Sequence, residues 1–360
     1  MVKKVLVILG TRPEVIKLFP LISRLKDNAN FEVVLCNSGQ HKELMEGHLK
    51  EFHLEADYNL DVMQQGQSLS SLAARMILGL GTTISQVLPD LVVVQGDTQT
   101  AFCGAVSAAY AQIPCAHIEA GLRTYDRNNP FPEEINRQAI SRLATIHFCP
   151  TKKNKENLNS EGITEQVFVT GNTVIDNLKR ILANDDENKR TKSILYTVHR
   201  RENADHVESI ANSIISMMQS FPDVSHEIIS HPNETTTQLI EQLEQNEHYP
   251  ELLQPLSYSE MITKLNSCQL VVTDSGGILE ECTYLKTPTI IFRKTTERQE
   301  GLAQDWIAIC DPENPDLISI AKSLAKKSSI SHNQSRCTVY GDGSSSAQIT
   351  SHLEQLLRIS

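Results

Sequence analysis

The feature that most constrains this chain is a repeated rhythm: a short, unbroken apolar run, a helix-length amphipathic segment, then another apolar run. The first series of runs is Lys4 to Leu9, Phe31 to Cys36, Leu91 to Gln95, Pro114 to Ile118 and Thr145 to Cys149. A second series is Ser193 to Val198, Ser225 to Ser230, Leu270 to Thr273 and Pro288 to Arg293. Runs of this kind are strands covered on both faces, and helices between them make the sheets parallel. Helical periodicity occupies Glu14 to Lys26, Leu69 to Val87, Thr98 to Ala111, Val207 to Gln219 and Ile278 to Leu285. The expected class is doubly wound α/β. With 360 residues and roughly 150 per domain, there is room for two such domains. The rhythm breaks at ANDDENKRTK, 183–192, a polar and charged stretch that reads as a linker. The expectation is two Rossmann-like domains, 1–182 and 193–344, facing each other across a cleft. A C-terminal helix over 345–360 can pack back on the N-terminal domain.

Charge narrows the partners. Lys and Arg total 33 against 44 Asp and Glu, a net charge of −11. A body this acidic repels polyphosphate at long range, so nucleic-acid binding is not expected. An anionic ligand then requires a pocket with its own positive groups. No apolar run approaches the roughly 18 residues of a membrane span. The opening MVKKVLVILGTRPE lacks a long apolar region and a small-residue cleavage site, so a cytoplasmic protein without a membrane partner is expected. The eight cysteines contain no C-x-x-C pair and no zinc spacing, which implies core thiols and no structural zinc.

Ligands in doubly wound folds sit beyond the carboxyl ends of the strands, so the residues that follow each run carry the chemistry. After the first run stands Gly10-Thr11-Arg12-Pro13-Glu14-Val15-Ile16-Lys17. Arg12 and Lys17 lie near a helix start and could hold an anion; as a bland alternative they are solvated charges. The segment is neither G-x-G-x-x-G nor a P-loop, so neither NAD nor ATP follows. Gly96-Asp97-Thr98 ends the next run, His117-Ile118-Glu119 the one after, and Pro130-Phe131-Pro132-Glu133 precedes another helix. Any one of Asp97, Glu119 and Glu133 alone reads as a cap or a structural acid. Three together at one sheet mouth point to general acid and base work, because clustered carboxylates raise one another's pKa.

In the second half, His199-Arg200-Arg201-Glu202 follows a strand, where His199 could carry a proton or bind phosphate. His231 is a weaker second case. Thr273-Asp274-Ser275-Gly276-Gly277 combines a strand end, small residues and a helix start, which is a diphosphate cradle in physical terms. Glu281, a turn further on, is spaced to accept from a ribose diol. Arg293 and Thr295-Thr296-Glu297-Arg298 could close over the same ligand.

Nine segments, in order, carry a family resemblance: G-T-R-P-E-x-I-K, G-D-T, H-x-E-A-G-L-R-T, P-F-P-E-E-x-N-R, G-N-T-V-I-D, H-R-R-E-N, T-D-S-G-G-x-x-E-E, T-T-E-R and Y-G-D-G. Over essentially its whole length the sequence resembles the bacterial non-hydrolysing UDP-N-acetylglucosamine 2-epimerases. The resemblance implies a glycosyltransferase-B-like fold, a homodimer, and chemistry with neither metal nor NAD. It implies interconversion of UDP-N-acetylglucosamine and UDP-N-acetylmannosamine by elimination and re-addition of UDP through a glycal. It also implies Asp97, Glu119, Glu133 and His199 as catalytic groups, with Arg12, Lys17, Ser275, Gly276, Gly277, Glu281 and Arg298 as nucleotide-sugar contacts. The uracil-side positions are Leu256 and Met261, where Gln and Phe would be more diagnostic. Gln299 stands where many members have Pro. Gln40-His41 matches part of a regulatory second site known in some relatives, but Glu43 and Gly66 depart from it, which speaks against allosteric activation.

Three rivals share features of this reading. A hydrolysing epimerase shares the first step and releases N-acetylmannosamine and UDP. A glycosyltransferase of the same fold shares the nucleotide pocket but needs fewer acids, and a catalytically silent nucleotide-sugar sensor needs none.

Overall fold

The computed structural model describes residues 2–40, 47, 49–64, 66–183, 191–328 and 335–357. They form two compact units, one of Met1–Asn177 with Tyr340–Ser360, the other of Leu178–Val339. Most of the stretch read as a linker, 184–190, lies outside the described residues, as do His41 and Glu43.

The first unit is built on a parallel sheet of β1 (Lys3–Leu9), β2 (Phe31–Asn37), β3 (Tyr58–Asn59), β4 (Leu91–Gln95), β5 (Cys115–Ile118), β6 (Ile146–Cys149) and β7 (Val167–Val169). Its strand order is β3-β2-β1-β4-β5-β6-β7. The second unit repeats the plan with β8 (Ser193–Thr197), β9 (Ser225–Ile229), β10 (Glu251–Leu253), β11 (Leu270–Thr273), β12 (Thr289–Phe292) and β13 (Ile307–Cys310). The order there is β10-β9-β8-β11-β12-β13. In each sheet the chain winds outward one way from the first strand, then returns to start the other half. Each sheet therefore has a switch point, between β1 and β4 in one and between β8 and β11 in the other. Crossover helices leave in opposite directions there and open a crevice above the strand ends.

The apolar runs fold as strands because both sides of each sheet are covered. Val5 to Leu9 and Leu91 to Val94 are fully buried, and the helix Leu69–Val87 packs Leu72, Met76, Leu80 and Ile84 into the same core. In the second unit Tyr196, Ile210, Ile214, Val272, Ile290 and Phe292 make the equivalent core. Burying one such side chain stabilises by about 1.5–3 kcal/mol, so these strands hold the turns at their ends in place. Seven of the eight cysteines are buried and all are unlinked. Burial pushes the Cys36, Cys115 and Cys149 thiols up to about 12, which makes them inert core groups. Among the described residues no helix is long and apolar enough to cross a membrane.

The chain returns to the first unit at Tyr340, and its final helix, Ser345–Leu356, packs on the helix Arg12–Lys26. Asn28 and Asn30 donate to Glu354 across this contact.

Candidate functional site

At the first switch point the turn after β1 enters the helix Arg12–Lys26 through Thr11 and carries Pro13 in its first turn. Glu14 folds back on the turn and accepts from the Gly10 and Thr11 amides and the Thr11 hydroxyl, at 2.9, 2.7 and 2.9 Å. Its other oxygen accepts from Thr98 Oγ1 at 2.7 Å, in the turn after β4. One fully buried carboxyl thus ties together the two turns that flank the crevice. Burial pushes this carboxyl up to about 7, against the pull of its four donors.

Asp97 stands beside that tie. Its Oδ2 accepts from Arg137 Nη2 at 2.5 Å, and Arg137 lies 3.2 Å from Glu134. Asn136 donates to the Asp97 backbone carbonyl at 3.0 Å, so the helix Glu133–Leu143 grips the turn twice. The Asp97 side chain keeps a quarter of its surface open, whereas Arg137 is almost wholly enclosed. Underneath, the fully buried His117 donates from Nε2 to the Gly96 carbonyl at 2.7 Å. Desolvation lowers the His117 pKa to about 4, so it remains a neutral support.

Glu119 follows β5 with a φ of +67°, a left-handed conformation that costs a non-glycine residue about 1–3 kcal/mol and tends to occur where function requires it. Its side chain is 4% exposed. Oε1 accepts from Lys17 Nζ at 2.5 Å and from Asn172 Nδ2 at 2.9 Å, while Oε2 accepts from Gln95 Nε2. Lys17 is therefore half of an enclosed ion pair. Arg12 opens its helix and is half-buried. Glu133, also half-buried, opens the helix that carries Arg137, where its charge suits the helix dipole. The structure thus joins Asp97, Glu119 and Lys17 to the β4 and β5 ends through side-chain hydrogen bonds, and places Glu133 one helical turn before Arg137.

At the second switch point Asp274, after β11, turns its carboxylate toward the end of β8. Oδ2 accepts from the His199 and Arg200 amides at 2.9 and 2.8 Å and from Asn203 Nδ2 at 2.9 Å. Oδ1 lies 3.4 Å from His199 Nδ1. The His199 ring stacks on His231 with centroids 5.1 Å apart, and Asn233 Nδ2 donates to the His199 carbonyl at 2.8 Å. Ser275 caps the helix Gly276–Leu285, on which Glu281 is buried. A Cβ at Gly276 would fall 2.5 Å from Arg298 Nη1, so any larger residue there would displace the guanidinium.

Arg298 is itself bound to carboxylates, Glu280 at 2.9 Å and Glu297. Arg293, expected to close over a ligand, is 2% exposed between Glu297 at 3.1 Å and Glu202 at 3.3 Å. Burial lowers its pKa, with the Arg200 and Arg298 charges adding to that effect and Glu297 opposing it. Met261 is buried on the helix Tyr258–Ser267, and Leu256 precedes it in a half-buried loop.

Several of these groups escape sequence reasoning. Glu14 stands three residues after Thr11, the S/T-x-x-E spacing that could have announced it. Asn172 and Asp274 lie in quoted segments, but the contacts of Asn172 and Gln95 with Glu119 and the anchoring role of Asp274 have no local signal, because each depends on which strands are neighbours. Among the described residues no group of three His, Cys, Asp or Glu is placed to hold a metal ion.

Two parallel sheets of matching strand order, each with polar side chains gathered at its switch point, define a protein with paired Rossmann-like units, glycosyltransferase-B-like in fold. The family model for UDP-N-acetylglucosamine 2-epimerase matches residues 23–354. A putative UDP-N-acetylglucosamine 2-epimerase of Thermotoga maritima is 37% identical, covering 96% of this chain and 95% of that protein. The crystal structure of the Neisseria meningitidis UDP-GlcNAc 2-epimerase, bound to UDP-GlcNAc, is 34% identical with a TM-score of 0.87, covering 98% of this chain and all of that one. A putative epimerase structure from Listeria monocytogenes is 34% identical with a TM-score of 0.91, covering 99% and 97%. The chain belongs to the UDP-N-acetylglucosamine 2-epimerase family.

Proposed function

We propose that this protein interconverts UDP-N-acetylglucosamine and UDP-N-acetylmannosamine reversibly, by eliminating UDP across carbons 1 and 2 and adding it back to the glycal. The observation that carries the reading is the pair of carboxylates on adjacent strand ends, each with its own cation: Asp97 with Arg137, and Glu119 with Lys17. The proton at carbon 2 is weakly acidic, so its removal needs a positioned carboxylate. Return of a proton to the opposite face needs a second acid. Asp97, the more open of the two, is suited to meet the sugar, while Glu119 is enclosed with Lys17 and Asn172.

Departure of UDP places charge on the diphosphate, and the Ser275–Gly277 helix start offers amide donors to such a group. Glu281 serves the ribose, Leu256 and Met261 the uracil side, and Arg12 and Arg298 complete the nucleotide-sugar contacts. His199 and Glu133 take part in proton handling. The Neisseria structure, bound to UDP-GlcNAc, supports the choice of ligand. The reading includes a cytoplasmic homodimer that requires neither metal nor NAD.

Proton NMR of UDP-N-acetylglucosamine in heavy water with the enzyme tests this. Deuterium should enter carbon 2 with no net loss of nucleotide sugar. Free N-acetylmannosamine with stoichiometric UDP would instead establish the hydrolysing reaction, and the absence of any exchange would sink the epimerase reading.

A further inference from the structure

Two of the sequence segments, G-N-T-V-I-D at 171–176 and Y-G-D-G at 340–343, supply no group that touches substrate in the reaction as drawn so far. In the fold they clasp one another inside the first unit. The Asn172 amide donates to the Tyr340 carbonyl at 2.7 Å. Gly171 has a φ of +83° and Gly341 one of +116°, and a Cβ on Gly171 would stand 2.9 Å from the Gly341 Cα. Only two glycines permit so close a crossing. Asp176 closes the clasp, accepting from the Ser345 and Ser346 amides at 3.1 and 2.7 Å and from the Ser346 hydroxyl at 2.6 Å. These bonds cap the start of the last helix. Asn177 donates to the Ile16 carbonyl at 3.1 Å, next to Lys17.

The product of this clasp is one oriented amide. Asn172 is 2% exposed, and its Oδ1 accepts from the Val174 amide at 3.1 Å. With the oxygen so occupied, the Nδ2 group faces Glu119 and donates to Oε1 at 2.9 Å, the same oxygen that Lys17 holds. We propose that Asn172 is a positioning residue that holds the Glu119 carboxylate aimed, and that the returning segment Tyr340–Ser346 sets it. This rests on the reading of Glu119 as an acid of the epimerase site. The groups facing Glu119 include Lys17 from the helix Arg12–Lys26, Gln95 from the end of β4, and His117 in β5, two residues before it, where burial keeps the imidazole neutral.

Asn172→Asp separates positioning from folding, because a carboxylate oxygen can still accept from Val174 while the other faces Glu119 with like charge. Turnover at pH 7 should fall about tenfold or more, with KM for UDP-N-acetylglucosamine within about threefold, and the acid limb of the pH profile should move up. The Glu119 side-chain carboxyl, followed by carbon NMR in the unliganded protein, should titrate at higher pH than in the wild type. Gly341→Ala, remote from Glu119 in sequence, should lower turnover in the same direction without raising KM. If wild-type protein shows no exchange at carbon 2, the epimerase reading fails, while the carboxyl titration still decides what Asn172 does to Glu119. A folded Asn172→Asp protein with an unmoved carboxyl titration and an unmoved acid limb would overturn the proposal.

Discussion

The two switch points share a topology and solve different problems. Above β1, β4 and β5 the first unit gathers paired charges: Lys17 with Glu119, Arg137 with Asp97, and Glu14 tying two turns. Above β8 and β11 the second unit uses Asp274 to hold three donors of the His199 loop, followed by small residues that open a helix start. Side-chain charge can be tuned by burial and can move protons. Backbone amides cannot titrate, but they bind an anion without strong selection among its protonation states. On the proposed reading, the same fold, used twice, gives one end to proton chemistry and the other to holding a diphosphate.

The comparison breaks most sharply at Asp97. Asp97→Asn should cut turnover by at least 10²-fold, while UDP affinity measured by calorimetry stays within about tenfold. Loss of binding together with activity would make Asp97 a structural acid and erase the division between the two ends. A second test concerns pH and the support under the first site. Desolvation, the largest cause in each case, lowers His117 and His147 from 6.5 to about 4. Between those values the unfolded chain takes up protons that the folded chain refuses, so stability is fully present above pH 6.5 and is lost as pH falls toward 4. Each histidine contributes on the order of 3 kcal/mol across that window. The urea midpoint should drop from pH 6.5 to 4.5, and His117→Gln, whose amide can still donate to Gly96, should flatten the slope; equal slopes would remove His117 from the account. The smallest effect belongs to the second unit. Gly276→Ala forces the Arg298 guanidinium to shift and should weaken UDP binding about tenfold. Unchanged affinity would show that the close approach at Gly276 does not shape the nucleotide site.

Legibility followed burial. The strands over Leu91–Gln95 and Leu270–Thr273 and the helix Leu69–Val87 stand where periodicity puts them. The strands that periodicity misses are β3, β7, β10 and β13, all at sheet edges. They are two to four residues long and partly exposed; β3 (YN) and β10 (ELL) carry no unbroken apolar run, and those of β7 (VFV) and β13 (IAIC) are too short to stand out. The same logic divides the site. Asp97, Glu119 and His199, the groups of the proposed site, stand out in the sequence because each follows a strand that announces itself. The contacts of Arg137 and Asn172 do not, since their partners lie 40 and 53 residues away in sequence, and although the capping box of Glu14 is local, its tie to Thr98 spans 84 residues.

By itself, the sequence determined the parallel α/β class, the strand ends where chemistry can stand, and the absence of a metal or dinucleotide motif. Apolar periodicity and short motifs are local properties, so one dimension suffices for them. Tertiary structure decided which carboxylate meets which cation, that Lys17 is enclosed with Glu119, and that the chain's last segment reaches Asn172. Those outcomes depend on strand order and on where the chain returns, and no window of neighbouring residues contains either.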